Sequence, residues 1–409
     1  MSTVVIVGAG PAGLTAAAHL ATRIDGEVVV LDREAEAGGI PRHSDHLGYG
    51  IRDLRRFVSG PAYAARLAER ARQAGAVIHT DTMVTGWAGD HSLEITSPRG
   101  RATLSADAIV LATGARERPR PARLIPGDRP DGVYTTGHLQ NLVHLHHRKV
   151  GKRAVIIGAE LVSWSAVLTL REAGCRTVLM TSTHDHAESY AAFRVPGRLA
   201  LRVPVARRTR LVRINGKHRV ESIEVEDIET GERQTVGCDT VIMSGDWIPD
   251  HELVRSAGID LDPDTLGPRV DTALRTSRPG VFAAGNLNHA VDTADVAALD
   301  GLHVATYVHE WLSGARIPHE AVPIVADEPF RWVSPSLLRP GDPAPPRGKL
   351  LLWTDEYRRL PHIVATQDGR QIGSVRVAWP AAPGRVFRVP HSLVASADAR
   401  GGPVHLAHA

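Results

Sequence analysis

The residues with an evident chemical use are three glycines and a carboxylate near the start of the chain. Gly8, Gly10, Gly13 and Asp32 stand in the stretch MSTVVIVGAGPAGLTAAAHLATRIDGEVVVLD. Spaced as Gly-x-Gly-x-x-Gly, the glycines suit a dinucleotide. Gly8 permits a tight turn, Gly10 lets the backbone approach a diphosphate, and Gly13 lets a helix pack closely on a strand. Pro11 and Ala12 belong to the same turn. The helix that follows offers unpaired N–H groups and the positive end of its dipole to phosphates. Asp32, about 20 residues past the glycines, can accept a hydrogen bond from a ribose 2′-hydroxyl and would repel a 2′-phosphate. The ligand expected here is FAD or NAD rather than NADP.

The pattern returns at Gly158, but Glu160 and Ser163 hold its second and third glycine positions. A glutamate there fills the space a diphosphate needs and sets like charge against like. At about 4 Å and an effective dielectric of about 20 the repulsion is roughly 4 kcal/mol. The strand ending at Met180-Thr181 supplies neither an acid for a ribose nor a nearby arginine for a 2′-phosphate. NAD(P) binding at this second turn is therefore doubtful, the alternative being that Glu160 points away and coenzyme still binds. Cys175 and Cys238 lie far apart and form no CxxC or CxxxxC pair, which excludes an internal dithiol and a cysteine-ligated cluster in this chain. His138, His144, His146 and His147 lack a helical repeat with an acid partner, so no metal site is expected.

The elements that must position these groups follow from periodicity. Val4–Val7 and Val28–Leu31 read as strands flanking an Ala/Leu-rich helix, the βαβ unit the glycines require. A helix spans Gly60 to Gly75, and strands follow at 77–79 and 108–111, the latter running into Ala112-Thr113-Gly114. Two alternating segments between them, 92–96 and 101–104, form a β-meander. The second unit has a strand at 152–157, a helix at 164–173 and a strand at 176–181. Short alternating strands and a buried strand at 239–244 complete it. A last strand, 281–283, precedes an alanine-rich helix that starts near Asp292-Thr293 and runs to about Trp311. Beyond Arg316 the chain is proline-rich and then shows short strand-like runs, a small separate β-containing domain with Trp332 and Trp353 in its core.

Bulk properties agree with a globular protein of two or three domains. The chain has 409 residues, is 43% hydrophobic and carries a formal charge of +3. No Lys/Arg block interleaves with aromatics, so nucleic acid is a poor partner. The longest apolar window, 4–21, is broken by glycines and a proline and has no basic residue before it, so neither a signal peptide nor a membrane span is expected. Sparse cysteine fits a cytoplasmic setting.

Taken in order, the Gly8-Gly10-Gly13 turn, Ala112-Thr113-Gly114, the Gly158 turn and Ala284-Gly285-Asn286 before a helix resemble flavoproteins with two dinucleotide-binding domains. Glutathione and thioredoxin reductases are the familiar members of that group. The resemblance covers residues 1 to about 315 and implies an α/β fold of two nested Rossmann-like domains. It implies an FAD-binding domain of residues 1–118 and 246–315, an inserted NAD(P)-binding-like domain of 119–245, and a small C-terminal domain of 316–409. FAD would contact Gly8, Gly10, Pro11, Ala12, Gly13, Asp32, Arg33, Gly39, Ile40, Arg42, Val84, Ala112, Thr113 and Gly114. Gly285 and Asn286 would hold the ribityl and diphosphate region, Asn286 replacing the usual aspartate. Asp292, Thr293 and Ala294 would lie near the flavin N1/O2 edge, where a helix dipole stabilises reduced flavin.

The segments 38–43 and 244–250 also resemble a narrower group, the flavin subunits of hydrogen cyanide synthase, opine oxidase and hydroxyproline dehydrogenase type. That resemblance implies dehydrogenation of an amine, amino acid or similar small substrate by hydride transfer to flavin N5. It also implies a possible partner in the form of a second flavoprotein subunit. Because no cysteine follows Arg316, any 2Fe-2S cluster would sit on a separate protein. Arg42, His43 and His46 are the catalytic candidates, a guanidinium to clamp a carboxylate and imidazoles to shuttle a proton, unless they only contact FAD or solvent. His289, just before the flavin-facing helix, is expected to make a structural hydrogen bond. The alternatives are an NAD(P)H-dependent flavin reductase feeding a partner protein, and a non-catalytic FAD-carrying assembly subunit.

Overall fold

A computed structural model describes residues 1–189, 201–289, 291–315, 320–339 and 341–409. Four helices matter to the site: α1 (Pro11–Leu20), α2 (Gly60–Gln73), α3 (Leu161–Glu172) and α4 (Ala294–Leu312). The β-branched runs form the centre of a five-stranded sheet in the order Val281–Ala283, Ala108–Leu111, Ser2–Val7, Gly26–Leu31, Val77–His79. Every neighbouring pair in it is parallel, with Val4 set between Val28 and Ala108. Helices cover the sheet, so its central residues (Val4, Val5, Ile6, Ile109 and Val110) are wholly buried, and such strands read as continuous apolar runs.

A second parallel sheet repeats the plan in the order Val133–Thr135, Thr240–Met243, Arg153–Ile157, Arg176–Thr181, Val205–Ala206. The chain leaves the first unit along Ala115–Glu117 and returns along Trp247–Pro249, and these two segments pair antiparallel. Each unit carries an antiparallel three-stranded flap. The first flap includes Met83–Gly89, which sequence alternation does not mark as a strand. Helix α3 begins at Leu161 rather than at Trp164, because nothing at Leu161-Val162 opposes helical backbone. Glu160 thus becomes its N-cap residue and Ser163 lies in its first turn.

The last part of the chain is mostly β, with two short 3-10 turns at Pro346–Gly348 and His391–Val394. A five-stranded sheet contains His362–Gln367 and Val404–His408, and a three-stranded sheet contains Phe330–Ser334, Lys349–Thr354 and Phe387–Pro390. Leu350, Leu352, Ile363, Ala365, Val389 and Leu406 form its core, each wholly buried. No helix among the described residues is long and apolar enough to cross a membrane.

Helix α1 meets α4 with backbone against backbone. A methyl group added at Gly301 would stand 2.1 Å from the carbonyl oxygen of Ala12. Gly301→Ala should therefore force the helices apart and cost about 1–3 kcal/mol. Thermal unfolding followed by circular dichroism should show a melting point several degrees lower, whereas Gly237→Ala, where a methyl meets nothing within 4 Å, should melt like the parent.

Candidate active site

The first turn brings its glycines together as their spacing requires. Gly8 has φ of 108°, and a methyl on it would stand 2.3 Å from Ala112 O; one on Gly13 would stand 1.9 Å from Gly8 O. A methyl on Gly10 would meet no atom within 4 Å. The second glycine is therefore the open one, on the wall of a cavity of about 2940 Å³. The 38–39 loop lies over it: Gly38 N–H donates to Ala9 O at 2.8 Å, and a methyl on Gly39 would come 2.9 Å from Gly10 Cα. Asp32 accepts N–H bonds from Ala9 at 2.6 Å and Glu34 at 2.9 Å on separate oxygens. Burial pushes its carboxyl above the usual range, against those two bonds.

Pro11, Ala12, Arg33, Ile40, Val84, Ala112, Thr113 and Gly114 share this wall. Arg33 also pairs with Asp250 at 3.3 Å. Gly13 and Gly285 lie behind the wall, Gly285 packing on Ala12 with φ of 74°. At the far end Asp292, Thr293 and Ala294 line the cavity at the N-terminus of α4. Asn286 lines the cavity too and has a further role. Its amide clasps the Asp292 backbone, accepting from N–H at 3.0 Å and donating to the carbonyl at 3.1 Å, so it braces the loop into α4. Burial opposes ionisation of Asp292, but ion pairing with Arg388, helped by His289 and the Thr293 N–H, holds its carboxyl below the usual range.

The three catalytic candidates separate. Arg42 turns away from the cavity and grips Glu36, with Nη1 donating to its carbonyl at 2.9 Å and Nη2 3.2 Å from its carboxylate. Its partner there is a carboxylate six residues back in the same loop. His43 does line the cavity, and burial together with Arg42 lowers the pKa of its imidazole. His46 has the more specific setting. Its Nδ1–H donates to Leu47 O at 2.9 Å, leaving Nε2 to accept from the Ser165 hydroxyl at 2.6 Å. Gln140 Nε2 donates to the same Ser165 oxygen at 2.8 Å. Ser165 belongs to α3 of the other unit, and no signal in the sequence joins it to His46.

At the second turn Gly158 has φ of 130°, and Glu160 Oε2 lies 2.7 Å from where its methyl would be. The Ser244 hydroxyl donates to Glu160 Oε1 at 2.5 Å, and Ser163 donates to Ser244 at 3.0 Å. The two residues that replaced glycines thus form one buried network in the turn. Glu188 faces the same cleft; burial and the nearby Glu160 charge push its carboxyl from 4.5 to about 7, against a bond from Ser182. One correction concerns cations. Arg207 and Arg210, distant in sequence from Thr181, reach this end of the cavity, where Arg207 donates to Asp185 O at 3.2 Å and Arg210 Nε to Glu226 at 3.0 Å.

The C-terminal tryptophans lie in a core cluster, as expected, and also reach the site. Trp332 and Trp353 sit in a small cluster with Leu351 and Val386, apart from the main core of that region, and both line the cavity. Trp332 stacks on His289 at 5.5 Å and on Trp353 at 5.9 Å. Arg347 fastens this region to α4, its Nη1 lying 3.1 Å from both Val296 O and Asp300 Oδ1. Both cysteines are buried, and burial raises each thiol to about 11, which keeps them protonated and unreactive.

Residues 2–301 match the family model described as pyridine nucleotide-disulphide oxidoreductase. The chain belongs to that family of FAD-dependent oxidoreductases. Among its relatives is a thioredoxin reductase of Treponema pallidum, 29% identical over 288 residues, covering 69% of this chain and 88% of that protein. An opine oxidase component of Rhizobium meliloti is 26% identical over 323 residues, covering 69% of this chain and 58% of that protein. In fold the chain is similar to T. acidophilum thioredoxin reductase, with a TM-score of 0.63 at 24% identity over 76% of this chain and 99% of that one. The likeness to opine oxidase is therefore shared with thioredoxin reductases.

Glu188 links the second cleft to pH. A carboxyl with a raised folded-state pKa holds its proton more tightly folded than unfolded. Its stabilisation is full below about pH 4.5 and is lost as pH rises through about 7. Glu188→Gln should recover part of a loss of order 3 kcal/mol. Denaturant unfolding at pH 5 and pH 8 should show a smaller difference in the variant than in the parent.

Proposed function

We propose that this chain is an FAD-dependent dehydrogenase, alone or as the flavin subunit of a complex, that draws electrons from an amine, amino acid or similar small substrate rather than from NAD(P)H. One observation carries the reading: Gly10 faces open space in the first turn, while the Glu160 carboxylate lies within the second. A diphosphate approaching the first meets bare backbone and a helix N-terminus; approaching the second, it meets a buried anion. We assign the FAD unit to residues 1–118 and 246–315, with 119–245 inserted and 316–409 following.

The cradle fits FAD. Gly8, Gly10, Pro11 and Ala12 would take the diphosphate, Asp32 and Arg33 the adenosine ribose, and Val84 the adenine side. Gly39, Ile40, Thr113 and Gly114 would line the path toward Asp292, Thr293 and Ala294 at the α4 N-terminus. When bound, FAD supplies a two-electron acceptor for hydride. Of the chain's own groups, His46 Nε2 is placed to take a proton from the Ser165 hydroxyl, which in turn can accept one from a substrate amine in the cavity. Electrons would then leave to a partner, a second flavoprotein or a separate 2Fe-2S protein.

A second reading, an NAD(P)H-dependent flavin reductase serving a partner protein, draws support from Arg207 and Arg210 at the second cleft and from the thioredoxin reductase relatives.

Anaerobic stopped-flow mixing separates the two. NADH and NADPH should leave the flavin oxidised on the turnover timescale, while members of a panel of amino acids and amines bleach it; rapid bleaching by micromolar coenzyme would overturn the proposal. Glu160→Gly combined with Ser163→Gly should raise the NADH bleaching rate at least about tenfold. Gly10→Ala should fold normally, since its methyl has room, yet purify with much less flavin.

A further inference from the structure

One face of the three-stranded C-terminal sheet is built as a binding surface. Alternate residues of a strand share a face, so Lys349, Leu351 and Trp353 stand together along its central strand. The ladder sets Trp332 opposite Trp353, Arg388 opposite Leu351 and Pro390 opposite Lys349. Lys349, Trp332, Trp353 and Arg388 all line the cavity. Their position along it is set by two anchors. Arg347, two residues before Lys349, is held on α4 through Val296 and Asp300, and Arg388 is paired with Asp292 at the start of that helix. Lys349 therefore stands beside the end of the cavity onto which the α4 N-terminus opens.

The cations of this face differ in one respect. Asp300 answers Arg347, Asp292 answers Arg388, and Asp355 answers Arg331 at 3.2 Å. Among the described residues no carboxylate lies within ion-pair distance of Lys349. An ammonium without a carboxylate partner, on the face that carries the stacked indoles four residues farther along the strand, is suited to a ligand with one negative charge and a flat or apolar body. A carboxylate matches the single charge, and the indole faces match the carbon skeleton.

We infer that Lys349 binds the carboxylate of the substrate, with the rest of that molecule against Trp353. The inference rests on the dehydrogenase reading and narrows it from amines in general to those bearing a carboxylate. It makes Lys349 a specificity-determining residue supplied by the region that sequence analysis sets apart from the site.

The test uses the FAD-loaded protein and a matched pair of probes, benzoate and benzamide, alike in shape and different in charge. Tryptophan fluorescence follows each titration. Benzoate should bind saturably and about tenfold or more tightly than benzamide, the ratio expected of one charge-assisted hydrogen bond. Lys349→Gln should erase that preference and Lys349→Arg retain most of it, with the melting point of each unchanged. Trp353→Leu should weaken both probes alike. Equal affinities in the parent, absence of saturable benzoate binding, or a preference that survives in Lys349→Gln would each overturn the inference. Binding to oxidised protein needs no turnover. Reduction by NADH would sink the dehydrogenase reading without touching this result, and bleaching by amines would stand even if the benzoate preference failed.

Discussion

Where a β-carbon is missing, another backbone comes close, and the first unit depends on that constraint. Gly13 lets α1 descend onto the strand-end turn, and Gly301 lets α4 lie on the carbonyl of Ala12. These contacts set the N-termini of α1 and α4 on a common cavity. The exposed N–H groups and dipoles of both helices then act on one bound molecule, the first where a diphosphate is expected and the second where negative charge would develop.

The second unit keeps the frame and alters the contents. Its strand, turn and helix follow the plan of the first, and Gly158 still adopts a positive φ. The positions that would admit a phosphate now hold Glu160 and Ser163, which close with Ser244 into a hydrogen-bonded group. A carboxylate so placed is held by hydroxyls rather than by a cation, and it drives up the proton affinity of Glu188 nearby. This cleft holds a carboxylate in its turn, while Arg207 and Arg210 line the same cavity. The two nucleotide-type clefts of one chain thus differ in electrostatics far more than in topology.

The C-terminal region gives the site a third side. Two arginines anchored to carboxylates orient its small sheet, Arg347 on Asp300 of α4 and Arg388 on Asp292 in the loop before it. Buried pairs of this kind lose much of their Coulombic gain to desolvation, so their value lies in registry more than in stability. They bring an aromatic face and an ammonium to the cavity.

How far the sequence alone reached follows from the range of each interaction. The Gly8-Gly10-Gly13 turn, the parallel strands and the presence of Glu160 in the second turn were all legible, because local steric rules and near neighbours govern them. Even the start of α3 was missed by only three residues. The pairing of Arg42 with Glu36 in the same loop was not legible, because nothing in their spacing shows which way the side chain turns. That the amide of Asn286 also clasps the returning backbone at Asp292 was equally hidden. Contacts between distant segments left no periodic trace at all: Ser165 on His46, Arg207 and Arg210 at the second cleft, Trp332 on His289. Residue type and spacing determined that this chain has one open dinucleotide turn and one filled turn. Which side chains face the space between them was decided only by how three packed units close upon it, since that closure depends on surfaces hundreds of residues apart in the chain.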